Sequence, residues 1–408
     1  MPISRRRRLR PLPAALVAIG VVLGACGGGD GGTSGPSAEA APDADAPAPF
    51  AAPFRRLAEE VVAVGLPGVS LHVRLGEREA SVVAGVAEID SATPFLPTSP
   101  SLTASAGKPF VAVLLLRLVE DGLLALSDPL ERRLDPALAE TLPGSDAITL
   151  EMLLAHTSGL PDYLAQDDFW RDYLGEGERP AGTVWTAEEA LGYVTGVEPR
   201  FPPGERFDYS NTNFVLAGLV AERASGLSLG AALRAWVLEP AGLEETYHPS
   251  ERPGQPDLVH GYLDPREAGR PADDALVDTR EQVRSDGLGD GPLHATARDL
   301  ERFVRVLLDT ETLLSATMRE RMLTEERPGS GYGLGIAVDE LPLGSGDGVK
   351  MWSHLGEWLG YSADFVYVPA LDLSFAVMAN GSGERFRALF KYLERRVLGA
   401  LVAAADGD

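Results

Sequence analysis

Ser105 and Lys108 stand three residues apart at the head of a long apolar run, residues 110–124, and their types point to proton-assisted nucleophilic chemistry. Of 36 basic residues only three are lysine, Lys108, Lys350 and Lys391; elsewhere positive charge is written as arginine. Lysine can lose its proton when desolvated and arginine cannot, so a lysine in this chain is a candidate for proton transfer rather than for charge. A spacing of three puts both side chains on one helix face. Ser105 would then lie among the free N–H groups of a first turn, where the helix dipole favours a developing oxyanion. Pro109 is compatible with a helix there only in that first turn. The plainer alternative is a solvated helix start, with Ser105 or Thr103 as its N-cap.

A second constellation is Tyr209-Ser210-Asn211. Asparagine is as scarce as lysine, occurring only at 211, 213 and 380. Pro202-Pro203-Gly204 precedes it, so the segment reads as a turn, and a turn on a rigid scaffold could deliver a phenol and an amide to the serine. A third is His354-Leu355-Gly356, just before late strand patterns, where a strand edge could offer backbone donors and acceptors to an extended substrate. The remaining histidines, His72, His156, His248, His260 and His294, lack metal-ligand spacing, and no metal site is expected.

The elements that must position these residues are visible as changes of period. Residues 54–64 have helical spacing; 69–73 and 81–86 read as strands joined by a turn at Gly76. The run 110–124 reads as a helix stopped at Asp121-Gly122. From 126 to 285 short helical patterns follow, at 150–156, 187–194 and 213–224, and strand signals nearly vanish. They return at 333–338, 362–368 and 373–378, and an amphipathic helix over 384–398 closes the pattern. Strands at both ends around a helical middle predict an antiparallel sheet flanked by helices, with an inserted all-helical subdomain. The sheet subdomain is expected over about 54–125 plus 285–403 and the helical one over about 126–284.

Ahead of this lies a segment of different composition. Arg5 to Arg8 and Arg10 precede a mostly apolar stretch ending Leu23-Gly24-Ala25-Cys26, the layout of an export signal too short to remain as a span. A large apolar residue and two small ones before a cysteine resemble the lipobox of bacterial lipoproteins. Cys26, the only cysteine of the chain, is then the lipidated first residue after removal of 1–25, anchoring the protein to a membrane on the extracytoplasmic side. An ordinary secretory signal is the alternative, and Sec and twin-arginine export are both open. Residues 26–53, rich in Gly, Ser, Ala, Pro and Asp, are expected to be a disordered tether. Removing 1–25 takes away five arginines and no acid, so the formal net charge moves from −24 to −29. Nucleic acid is therefore a poor partner for the folded part.

Taken in order, Ser105-x-x-Lys108, Tyr209-x-Asn211 and His354-x-Gly356 resemble the three signatures of the penicillin-recognising serine hydrolases: serine β-lactamases, D-Ala-D-Ala carboxypeptidases and related esterases, in their class C-like branch. Residues 154–161 (LAHTSGLP), 295–300 (ATARDL), 332–335 (YGLG) and 378–381 (MANG) also resemble that family's text, so the likeness runs over nearly all of 54–403. It implies a β-lactamase/transpeptidase-like fold and an acyl-enzyme on Ser105. Lys108 and Tyr209 would share general base and acid work, and Asn211 would orient substrate or the lysine. The oxyanion would lie between the N–H groups of Ser105 and Glu357, and no metal or organic cofactor is needed. His156 and Asp299 are structural in this pattern. To act as a base, Lys108 must fall by roughly two to three pH units from about 10.4, about 3–4 kcal/mol, which burial and nearby positive charge could supply. The third signature departs from the family. Leu355 has no hydroxyl, His354 is at most partly charged near neutrality, and Glu357 would repel an anion. The expected substrate is thus a small-molecule or peptide ester or amide with a less anionic acyl group. A true β-lactamase, a D-Ala-D-Ala carboxypeptidase and a catalytically silent peptidoglycan-binding lipoprotein are the alternatives.

Overall fold

The computed structural model describes residues 48–174, 184–251, 258–268, 270–271, 274–283, 287–343 and 348–405. The export signal, Cys26 and most of the expected tether lie outside them. Among the described residues no single helix is long and apolar enough to cross a membrane.

The sheet is built from both ends of the chain. Strand β1 (Gly68–Leu75) turns at Gly76, φ +58°, into β2 (Arg78–Glu88). The late strands are β3 (Ala337–Leu341), β4 (Val349–Ser353), β5 (Gly356–Trp358), β6 (Tyr361–Val368) and β7 (Leu373–Ala379). Across the sheet the order is Thr93–Pro94, β2, β1, β7, β6, β4, β3, with β5 also on β6, and these pairings are antiparallel. The first and last parts of the chain meet in the register Val69↔Ala379 to Leu75↔Leu373.

Period two decides what each face buries. Val69, Leu71, Val73 and Leu75 join Val366, Val368, Phe375 and Val377 in one core, under helices α1 (Ala48–Ala63) and α5 (Glu384–Ala405). Phe365, Tyr367 and Ala376 face the other core. It holds α2 (Lys108–Glu120), α3 (Asn211–Ser225) and α4 (Ala297–Asp309). Helices α2 and α4 meet through stacked Phe110 and Phe303, 3.6 Å between ring centroids.

Several expectations change in detail. Helix α1 begins at Ala48, inside the stretch expected to be tether, because Ala51 and Phe54 are buried in the core and Phe50 packs edge-on to Phe54. Helix α2 packs on α3, so it belongs with the helical layer rather than with the sheet subdomain. The insertion is not wholly helical: Tyr262–Leu263 pairs with Val277–Asp278 and with Gly381–Ser382 in a small three-stranded sheet. Two-residue strands carry no readable alternation. Residues 333–336 form a turn instead of the start of β3, with Gly333 N–H donating to Ile336 O and Gly335 N–H to Leu154 O.

Candidate active site

Ser105 lies in a 3-10 turn, Ala104–Gly107, that runs directly into α2, with Lys108 as first helical residue and Pro109 in the first turn. The turn is strained at its entry: Ala104 takes φ +46°, a left-handed conformation that costs a non-glycine residue about 1 kcal/mol or more. It is held in place from both sides. A Cβ on Gly291 would come 3.0 Å from the Ala104 carbonyl, and one on Gly356 would come 2.1 Å from Thr103 O and 3.0 Å from Ser105 N. Strand β5 therefore abuts the main chain of the serine as only glycine allows.

Lys108 is fully buried, and its Nζ donates to Ser105 Oγ (2.9 Å), Asn211 Oδ1 (2.8 Å) and the Asp290 main-chain oxygen (2.6 Å). Those three acceptors use all three donors of an ammonium. Burial lowers its pKa to about 8, while Asp290 and Asp162 pull the other way. The expected fall is present, but burial alone supplies it; the neighbouring charges are negative, not positive as anticipated.

Tyr209 reaches the same oxygen. Burial pushes its phenol well above its ordinary pKa, while a hydrogen bond with Ser105 and the charges of Asp290 and Asp162 act against and with that rise respectively. The phenol therefore stays protonated at neutral pH, and the ammonium of Lys108 lies 5.1 Å from its ring centroid. The ring rests on His156, 4.1 Å away. His156 Nδ1 accepts from Ser210 N–H (3.2 Å) and lies 3.1 Å from Asn213 Nδ2, and burial keeps it neutral. His156 is thus a platform for the tyrosine loop, and Asp299 is structural too: its Oδ2 accepts from Glu245 N–H and Thr246 Oγ1, both 2.9 Å.

Asn211, the first residue of α3, orients the lysine. Its Oδ1 faces Lys108 while its Nδ2 donates to Asp162 Oδ2 at 2.9 Å. His354 is also neutral, lowered to about 3 by burial first and Lys108 second. With Nδ1 donating to Leu355 O (3.0 Å), Nε2 accepts from Tyr332 Oη (2.8 Å). This agrees with the expectation that it is at most partly charged: it offers no cation to a substrate carboxylate. The expected repulsion by Glu357 is corrected. Its carboxylate is turned to α5 and held by Arg387 through Nε (2.7 Å) and Nη2 (2.6 Å), which neutralises it locally.

Ser105, Tyr209, Asn211, His354 and Glu357 line one cleft of about 1020 Å³, and Gly356 borders it through the Ser105 backbone. Two contributors, Asp162 and Asp290, have no counterpart in the sequence reading, and Tyr332 was legible only as part of the family-like text at 332–335. Asp290 had a signal in Gly287, Gly289 and Gly291 around it, since a Cβ on Gly289 would come 2.1 Å from Phe214 O. Asp162, pushed up to about 6 by burial, had none. Among the described residues no group of three or more His, Cys, Asp or Glu is placed to hold a metal ion.

Penicillin-binding protein 4* of Bacillus subtilis (strain 168) is 30% identical over 289 residues, 68% of this chain and 60% of that protein. This chain therefore matches less than two thirds of that relative's length. Esterase EstB of Burkholderia gladioli is 29% identical over 81% of this chain and 88% of its own. The crystal structure of a D-stereospecific amidohydrolase from Streptomyces sp. superposes with a TM-score of 0.69 at 27% identity, covering 86% of this chain and 97% of that one. Residues 54–398 match the Beta-lactamase family, and the chain belongs to it.

Proposed function

We propose that this chain is a serine hydrolase that cleaves an ester or amide through an acyl-enzyme on Ser105. The observation that carries the reading is the fully buried Lys108 Nζ, 2.9 Å from Ser105 Oγ with its pKa lowered to about 8. In the free-amine state the hydrogen bond reverses: Ser105 donates to Nζ, and the two remaining N–H bonds stay on Asn211 and Asp290. Oγ attacks the acyl carbon as its proton passes to Lys108. Tyr209 gives its proton to the leaving atom and is reprotonated from Lys108. Water then attacks the acyl-enzyme with the proton flow reversed. The oxyanion is received by the N–H groups of Ser105 and Glu357, each such donor being worth roughly a hundredfold or more in rate.

The neutral His354 favours an ester or a D-amino-acid peptide or amide without a carboxylate on its leaving side, over a β-lactam or a D-Ala-D-Ala terminus. A panel of p-nitrophenyl esters, D-alanyl peptides and nitrocefin decides among them. Labelling of the folded domain by a fluorophosphonate, with the adduct located by mass spectrometry, tests the nucleophile. A Ser105 that stays unmodified while no substrate turns over would replace this reading with that of a silent peptidoglycan-binding protein. We also infer export and lipidation at Cys26, supported by Arg5 to Arg8 and the Leu23-Gly24-Ala25-Cys26 ending. A Cys26→Ser protein that still takes up a labelled fatty acid in cells would refute it.

A further inference from the structure

Beyond the nucleophile, the cleft has an aromatic wall that its proton chemistry does not use. Gly356 and Trp358 share a face of β5, and Gly356 is the residue packed against Ser105 N. Trp358 therefore stands on the nucleophile's side, one residue pair further along. Its ring meets Trp170 at 5.5 Å and Tyr173 at 5.6 Å. Phe169, behind them, contacts both Trp170 (5.5 Å) and Tyr173 (5.4 Å). Phe169 and Tyr173 are buried, as a core cluster requires, but Trp170 and Trp358 are only half-buried and line the cleft. Their polar edges are engaged within the protein: Trp170 Nε1 donates to Leu164 O (2.7 Å) and Trp358 Nε1 to Tyr173 Oη (3.3 Å). What this wall presents to a substrate is ring face, suited to apolar and aromatic groups and indifferent to hydrogen bonding.

Which part of the substrate meets it follows from where the proton donor stands. Tyr209 lies beside Tyr332, 6.3 Å between ring centroids, and Tyr332 is hydrogen-bonded to His354. The leaving atom must be at that His354 end of β5 to receive a proton. The acyl group, on the opposite side of the carbonyl, extends toward Trp358. Resting on the reading of Ser105 as acyl acceptor, the geometry points to a specificity subsite of Trp358, Trp170 and Tyr173 that selects an uncharged aromatic acyl group, such as an arylacetyl or aromatic aminoacyl residue.

The test holds the leaving group constant. For p-nitrophenyl phenylacetate against p-nitrophenyl acetate, kcat/KM is expected to favour the aromatic ester at least tenfold. Trp358→Ala should lower both rates but the aromatic one far more, bringing the ratio to within about threefold of unity, and Trp358→Phe should restore most of the preference. Trp170→Ala, on the other ring of the wall, gives a second reading of the same ratio should the β5 variant misfold. Equal wild-type rates, or a ratio unmoved in the folded variants, overturn the subsite. So does a Trp358→Ala protein that changes the preference for phenyl over ethyl acetate instead, because the wall would then hold the leaving group. In those cases a fluorophosphonate adduct on Ser105 leaves the hydrolase reading intact; absence of both adduct and turnover removes the two together.

Discussion

Lys108→Arg is the substitution that separates charge from basicity at this site. An ordinary lysine with a pKa of 10.5 would be the free amine in about one molecule in 3,000 at pH 7. Lowered to about 8 by burial, Lys108 is free in about one in ten. The gain is about 300-fold in competent base, equivalent to about 3.4 kcal/mol. Because the depression comes from desolvation, proton release should govern the acid limb of kcat/KM. For a p-nitrophenyl ester the rate should rise with unit slope well below pH 8, level off above it, and be roughly 50-fold lower at pH 6 than at pH 8. His156 and His354, both held neutral, add no limb near 6.5, and the elevated phenol of Tyr209 adds none on the alkaline side below its ordinary range. Arginine retains the charge but not the exchangeable proton, so the variant should lose more than a hundredfold in kcat/KM and lose the limb at 8. The assay is steady-state hydrolysis between pH 5.5 and 9.5, with circular dichroism and thermal melting to establish that each protein is folded. A wild-type limb below pH 6.5, or a folded Lys108→Arg enzyme within tenfold of normal, would refute the assignment of the base.

Further outcomes follow from individual contacts. Tyr209→Phe should lower kcat by roughly a hundredfold or more while leaving KM within a few-fold, because the phenol transfers a proton rather than binding ground-state substrate; a change confined to KM would contradict that role. Gly356→Ala places a methyl 2.1 Å from Thr103 O and 2.7 Å from Ala106 N, so it should destabilise by about 1–3 kcal/mol in chemical denaturation and abolish turnover. A fully active, equally stable protein would mean that β5 does not abut the serine. Glu357→Gln breaks a partly exposed pair with Arg387, 31% exposed on the arginine, and should cost no more than about 1 kcal/mol. A loss well above that in chemical denaturation would contradict the assignment of a screened, partly exposed pair.

The large elements were legible because their periods are long and unbroken. Strands β1, β6 and β7 and helices α3 and α5 stand where alternation or helical spacing put them, extended by a few residues at their ends. What escaped detection was structure made of tertiary contact rather than of period. The α1 helix starts within an Ala-Pro-rich run because Phe50 and Phe54 find a core to join. Residues 333–336 are apolar enough to imitate a strand, yet their backbone groups bond within a turn and to Leu154. Tyr262–Leu263 lies between Val277–Asp278 and Gly381–Ser382, the latter arriving from the far end of the chain.

The site divides along the same line. Ser105, Lys108, Tyr209 and Asn211 were readable because scarce residue types at short spacing survive without coordinates. The acids that tune them were not. In a chain with 60 acidic residues, Asp162 and Asp290 look like any surface carboxylate until burial gives them away. Their presence changes the account of Lys108. A basic neighbour would have lowered its pKa by repulsion; here Asp290 and Asp162 attract the proton, and desolvation overcomes them. The reactivity of the lysine therefore depends on keeping water out of the base of the cleft. Asn211 serves that end, satisfying Lys108 and Asp162 at once with one side chain, so that neither needs water and both can remain buried.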